Sequence, residues 1–198
     1  RPRVPISAKL IAKLLETAGA DRILALDLHA AQIQGFFDIP VDHLFATPVM
    51  IEYMKTIQTP STIVVSPDAG GVERARAFAK RMNVPLAIID KRREDVNVAE
   101  VVHIIGEVEG RDCLMVDDLI DTGGTLAKGA EALMRAGANS VTACATHAVL
   151  SPSAVEKLEN SKIREVVLTN SIPLSEEARR STKIRTLSVA PLLAKAIQ

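Results

Sequence analysis

Apolar residues in this chain come in short unbroken runs rather than in clean alternation: Ile23–Leu26, Thr62–Val65, Leu86–Ile89, Cys113–Val116, Val141–Ala145, Val166–Leu168 and Leu187–Val189. Runs rich in Val, Ile and Leu without a polar face are what strands covered on both sides require. Between most of them the spacing changes to that of helices. Ser7 opens one with Leu10, Ile11, Leu14 and Leu15, and Thr47-Pro48 opens another with a capping residue ahead of Pro. Val72–Met82 and Leu126–Ala136 supply two more, the second with Gly137 as its stop, and Ser151-Pro152 precedes a short one at Ala154–Leu158. Strands alternating with helices predict an α/β fold with a parallel sheet flanked by helices. In such folds ligands gather beyond the carboxyl ends of the strands.

Polar clusters lie at those ends. After the first run come Asp27-Leu28-His29 and Gln32-Ile33-Gln34-Gly35-Phe36-Phe37, and after the second Ser66-Pro67-Asp68-Ala69-Gly70-Gly71. Asp90-Lys91-Arg92-Arg93 follows the third, and the fourth runs into Asp117-Asp118-Leu119-Ile120-Asp121-Thr122-Gly123-Gly124-Thr125. The last reads as strand, loop, helix. Backbone N–H groups at glycines and at a helix start suit a phosphate, and paired carboxylates accept from sugar hydroxyls or help hold a metal. Taken singly, each cluster has a dull explanation: a strand-end histidine, a good turn, a solvated basic face, an acidic turn with a Thr cap. Together they form one inventory, with carboxylate and imidazole for a metal, cations for phosphates and a loop for a sugar phosphate.

Composition narrows the field. With 24 Lys plus Arg against 24 Asp plus Glu, overall charge predicts neither a nucleic-acid nor an anionic-membrane partner. No apolar stretch reaches a membrane span, and Arg1-Pro2-Arg3-Val4-Pro5 lacks the apolar region of a signal peptide. Cys113 and Cys144 sit in strand-like runs and read as buried free thiols, so the expectation is a cytoplasmic protein. Gly-x-Gly-x-x-Gly and the P-loop are absent, and neither cysteine has metal-ligand spacing, which disfavours dinucleotide, P-loop and zinc sites.

Asp117–Thr125 resembles the phosphoribosyl-binding loop of type I phosphoribosyltransferase folds. With Pro5–Lys9, Asp27–Phe37, Ser66–Gly71, Asp90–Arg93 and Thr169-Asn170-Ser171-Ile172, the whole chain resembles the ribose-phosphate pyrophosphokinases, or phosphoribosyl pyrophosphate synthetases. The resemblance implies a type I phosphoribosyltransferase-like domain preceded by part of a second, similar one. Residues 1–44 would be the remainder of the N-terminal domain, 45–185 the C-terminal domain, and 186–198 a strand and helix returning to the first. The family's N-terminal segment would precede residue 1, which leaves open whether this chain alone is active. The implied reaction moves the pyrophosphoryl group of ATP to the C1 hydroxyl of ribose 5-phosphate, releasing AMP. By the same resemblance, His29 and Asp68 hold Mg²⁺, while Lys91 and Arg93 neutralise the transferring group and Arg92 points the other way. Asp117 and Asp118 bind the ribose hydroxyls. Asp121, Thr122, Gly123, Gly124 and Thr125 cradle the 5-phosphate, with the Asp121 carboxylate turned away from that dianion. Lys91–Asn97 reads as a loop that closes over substrates, and the family implies a homo-oligomer, dimers assembling into hexamers. The alternatives are a phosphoribosyltransferase, in which His29 and Lys91–Arg93 lose their purpose, and a noncatalytic associated subunit of the same fold.

Overall fold

A computed structural model describes residues 6–92 and 101–198. The chain divides into two compact units, Arg1–Ala46 and Thr47–Gln198.

In the first unit, helix α1 (Ser7–Thr17) is followed by strand β1 (Ile23–Leu26), a 3-10 helix at Ala31–Phe36 and strand β2 (Val41–Leu44). β1 and β2 pair in parallel from Ile23↔Val41 to Leu26↔Leu44. The apolar stripe of α1 that marked it as a helix is exposed in this unit, with only Ala12 buried.

The second unit contains α2 (Thr47–Ile57), β3 (Thr62–Ser66), α3 (Val72–Met82), β4 (Leu86–Arg92), β5 (Val101–Ile105) and β6 (Asp112–Ile120). It continues with α4 (Gly124–Arg135), β7 (Ser140–Ala148), α5 (Ala154–Glu159), β8 (Glu165–Thr169), α6 (Glu176–Arg180), β9 (Ile184–Leu187) and α7 (Ala190–Ile197). Its seven strands lie in the order β5-β4-β3-β6-β7-β8-β9. Every neighbouring pair is parallel except β4 with β5, which is antiparallel. The α/β sheet flanked by helices is therefore as the sequence predicts, with an antiparallel edge that the apolar runs do not reveal.

Two cores cover the two faces. Met50, Met54, Ala75, Phe78 and Met82 of α2 and α3 pack with Val64, Leu114, Val116, Cys144 and Val167. Leu126, Ala130 and Leu133 of α4 and Leu158 of α5 pack on the other side with Ile63, Val65, Ile89, Met115, Ala143 and Leu168. Alternating strand positions thus go to opposite cores, which is why each run must be apolar throughout. From β3 the chain winds towards β4, and from β6 it winds towards β7. The adjacent pair β3 and β6 is consequently the point where strand order reverses, and the loops that follow them flank a natural crevice.

Three boundaries differ from the sequence reading. β6 does not stop at Val116: Asp117, Leu119 and Ile120 stay paired with Ala145, His147 and Ala148 of an equally extended β7. The final run begins earlier, since Ile184–Leu187 rather than Leu187–Val189 pairs with β8. β9 thus crosses the expected 185/186 division, and 186–198 belongs to the same compact unit as 47–185. Lys91 and Arg92 are the last residues of β4, opposite Val102 and Val101, rather than the start of a loop.

Candidate functional site

At the carboxyl end of β6 the strand carries Asp117 and Asp118, then a turn of three residues, then α4. Gly123 makes that turn possible. Its φ is +70°, and a Cβ there would meet Leu158 Cγ at 3.3 Å and the Ala154 carbonyl oxygen at 3.4 Å. A side chain would be strained by the backbone and crowded by α5. Gly124 and Thr125 begin α4, where the first N–H groups have no partner within the helix and the helix dipole favours an anion. Gly129 sets the depth of that helix: a Cβ would lie 3.1 Å from Ile89 Cδ1 and 3.2 Å from Met115 Sδ, so α4 lies close against the sheet.

Asp121 is exposed and its carboxylate accepts from the Ser151 hydroxyl, while the Ser151 N–H donates to the Asp121 carbonyl at 3.0 Å. The turn is thereby tied to the segment after β7. Asp118 is buried, at 4% exposure, and Asp117 is only partly accessible. Asp117 Oδ1 accepts from the Asp118 N–H and Asp118 Oδ1 from the Leu119 N–H, both at 2.9 Å. Burial pushes the Asp117 carboxyl up to about 7, helped by its hydrogen bond with Asp118 and by the charges of Asp118 and Asp68.

Asp68 lies across the reversal point, in the turn after β3. Its Oδ1 accepts from the Gly71 N–H at 2.9 Å and its carbonyl from the Ser66 hydroxyl at 2.7 Å. The turn is tight because a Cβ on Gly71 would stand 3.0 Å from Ser66 Oγ. α3 starts directly afterwards and brings in a residue the sequence reading did not single out. Arg74 places Nη1 3.9 Å from Asp117 Oδ1 and Nη2 3.7 Å from Asp118 Oδ2. A signal for it was present: a cation in the first turn of a helix opposes the helix dipole, which points to a carboxylate partner elsewhere in the fold.

Asp68, Asp117, Asp118, Asp121, Thr122, Gly123, Gly124 and Thr125 are therefore gathered at the ends of β3 and β6. Lys91 is the next-to-last residue of β4, the next strand outward, and Arg93 and the rest of the expected closing loop, 93–97, lie outside the described residues. His29 belongs to the first unit, where it is exposed. Its turn is held by a second residue the sequence reading passed over, His43, whose Nε2 accepts from the Leu28 N–H at 2.9 Å. Asp27, buried with φ at 43°, accepts there from the Ala46 N–H at 2.8 Å. The segment Thr169-Asn170-Ser171 serves the scaffold. Thr169 Oγ1 and Ser171 Oγ donate to the Thr146 carbonyl at 2.7 and 3.1 Å, Ser171 Oγ lies 2.9 Å from His147 Nδ1, and Asn170 Oδ1 accepts from the Val189 N–H at 3.0 Å.

Among the described residues no helix is long and apolar enough to cross a membrane, and no three His, Cys, Asp or Glu side chains converge as a metal cage.

Residues 96–198 match the family model of the phosphoribosyl synthetase-associated domain. Over 197 residues the chain is 56% identical to the ribose-phosphate pyrophosphokinase of Bacillus caldolyticus and 55% identical to that of Corynebacterium ammoniagenes. Each match takes in all of this chain and 62% of the relative, so the chain spans less than two thirds of their length. The crystal structure of phosphoribosylpyrophosphate synthetase from Mycobacterium smegmatis superposes with a TM-score of 0.92 at 45% identity, over all of this chain and 64% of that one. The protein belongs to the phosphoribosyl synthetase-associated domain family.

Proposed function

We propose that this chain carries the acceptor side, and part of the ATP-phosphate side, of a ribose-phosphate diphosphokinase. The reaction transfers the pyrophosphoryl group of ATP to the C1 hydroxyl of ribose 5-phosphate and gives phosphoribosyl pyrophosphate and AMP. One observation carries the reading: a glycine-dependent turn leads into the α4 N-terminus a few residues beyond two carboxylates in the carboxyl half of β6, at the point where strand order reverses. A phosphate at the helix start and sugar hydroxyls at the carboxylates would place ribose 5-phosphate along the crevice. The names of the longer relatives agree with that substrate.

In this reading Asp117 and Asp118 accept from the ribose hydroxyls, and the backbone of Asp121–Thr125 binds the 5-phosphate. Phosphoryl chemistry then asks the protein for positioning and charge neutralisation, which are the roles of Lys91 and Arg93. The donor set fits Mg²⁺ arriving on ATP. Such an ion takes one or two carboxylates and fills its shell with phosphate oxygens and water, and Asp68 offers an exposed carboxylate in a fixed turn. His29 stands as its second protein ligand on the family resemblance alone, as do a cytoplasmic location and a dimer-based hexamer. When bound, the ion supplies charge neutralisation at the phosphates.

The test is AMP release from ATP and ribose 5-phosphate with Mg²⁺, by this chain and by the same chain extended with the relatives' additional segment. Release by either supports the reading. A well-folded extended chain that releases none, and that does not bind ribose 5-phosphate in calorimetry, would overturn it.

A further inference from the structure

We propose that Arg74 is the positioning residue of the acceptor site: its guanidinium fixes Asp117 and Asp118 as one sugar-binding unit and ties their orientation to the Asp68 turn. This rests on reading Asp117–Thr125 as the ribose 5-phosphate site.

Three observations support it. The first is where the cation stands. Arg74 is the third residue of α3, in the first turn, where the helix dipole costs a cation on the order of 0.3–1 kcal/mol. Glu73 suits that position and Arg74 does not, so its place is offset by what it faces. The second is the shape of the contact. One planar guanidinium sends Nη1 towards Asp117 and Nη2 towards Asp118, at 3.9 and 3.7 Å. A fork with two arms can serve two carboxylates at once, as a single ammonium cannot. Both separations exceed a direct hydrogen bond, so the contact orients by charge and leaves lone pairs for a hydroxyl or a bridging water. The third is that the carboxylates are already pinned from behind. Oδ1 of each accepts a backbone N–H, and Asp118 Oδ2 faces Arg74.

Three carboxylates, Asp68, Asp117 and Asp118, interact at the ends of two neighbouring strands. Left to mutual repulsion, the two on β6 would turn apart, and their acceptor geometry for adjacent ribose hydroxyls would be lost. Arg74 opposes this from the helix that continues the Asp68 turn. Arg74 stands six residues after Asp68, in the first turn of the helix that follows the Asp68 turn, so the two carboxylate groups are joined by one short segment of chain.

The experiment is calorimetric titration of the 198-residue chain and its Arg74→Met and Arg74→Lys variants, with ribose 5-phosphate and separately with inorganic phosphate. We expect Arg74→Met to bind ribose 5-phosphate about tenfold more weakly, a loss typical of one displaced charge contact, while phosphate binding stays within about twofold. Arg74→Lys should recover part of the loss. Unchanged ribose 5-phosphate affinity in a folded Arg74→Met chain overturns the proposal. An equal loss for inorganic phosphate also overturns it, because Arg74 would then be an anion ligand. A wild-type chain that binds phosphate but not ribose 5-phosphate would sink the acceptor-site reading and leave Arg74 to a second measurement. That measurement is the carboxyl ¹³C resonances of Asp117 and Asp118, which must move in Arg74→Met and move less in Arg74→Lys. Resonances unmoved by Arg74→Met overturn the proposal whatever the sugar does.

Discussion

Strand β6 opens on Asp112 and carries Asp117 in its carboxyl half, and the two ends are opposites. At the amino end, Asp112 accepts hydroxyl hydrogen bonds from Ser61 and Ser140 at 2.6 Å and from Thr59 at 2.7 Å. These donors, Ser140 first, hold its carboxyl down at about 2. At the carboxyl end, Asp117 is pushed the other way, to about 7, by burial and by a neighbouring carboxylate. One side chain type, on one strand, is solvated by the protein at one end and deprived of solvation at the other. Asp112 joins the start of β6 to the loop before β3 and to β7, so its surroundings stabilise the charge. At Asp117 the surroundings disfavour the charge, an arrangement common among residues of functional sites.

The largest expected effect separates the ends by function. Asp118→Asn and Asp117→Asn should each weaken ribose 5-phosphate binding by about a hundredfold, near 2.7 kcal/mol, while Asp112→Asn should leave it unchanged. Calorimetry on the three variants checks this. Equal losses at both ends would break the comparison.

The next effect separates them by stability. Asp112→Ala should cost about 1–2 kcal/mol in urea unfolding, because three hydroxyls lose a charged acceptor in a partly exposed setting. The pH dependences run in opposite senses. The Asp112 carboxyl is depressed, so its stabilisation is present above its ordinary value of 3.8 and fades as pH falls towards 2. The Asp117 carboxyl is raised, so its contribution is greatest below 3.8 and is lost as pH climbs through 7. Unfolding from pH 2 to 8 should therefore show Asp112→Asn flattening the acid side. Asp117→Asn should gain stability at pH 8 and flatten the stretch between pH 4 and 7. Parallel profiles for the two variants would contradict the assignment.

How far the sequence reveals these ends follows from the range of the forces involved. α3 is legible to the residue at Val72–Met82, since its signals are local: a glycine turn before it, an apolar stripe, and Asn83 in the left-handed conformation after it. The turn between β6 and α4 is legible for the same reason, as Gly123-Gly124 can be read from neighbours alone. The continuation of β6 through Asp117 to Ile120 is not, because pairing with a lengthened β7 overrides the poor strand preference of aspartate. Nor is the antiparallel β5, whose partner lies across a charged segment. Arg74 and the Asp112 network are non-local in the same way. Asp112 looks like an ordinary charged residue ahead of a strand until Thr59, Ser61 and Ser140, 53, 51 and 28 residues distant, come around it.

A smaller effect belongs to the turn beyond Asp118. Gly123→Ala meets both a left-handed backbone and Leu158, and should destabilise the chain by about 1 kcal/mol while weakening inorganic phosphate. Gly110, at φ +67° with open space around its Cβ position, is the control. Gly110→Ala should show the backbone cost alone and leave phosphate binding intact. If the two variants bind phosphate alike, the turn is not the phosphate site.

The smallest effect uses the two thiols as reporters at either end. Cys113 adjoins Asp112, and Cys144 pairs with Val116 next to Asp117. Burial pushes both thiols up, Cys113 to about 12 and Cys144 beyond it, so native protein at pH 8 should resist iodoacetamide and be labelled at both positions once unfolded. Labelling of the native chain then measures how often each end opens. Asp112→Ala loosens only the amino end, so it should quicken Cys113 severalfold more than Cys144. Asp117→Asn removes a charge that helps raise Cys144 but leaves the larger cause, burial, in place, and so should change its labelling little. Equal acceleration of both thiols by Asp112→Ala would mean that β6 opens as a single unit, and that its two ends differ in chemistry but not in local stability.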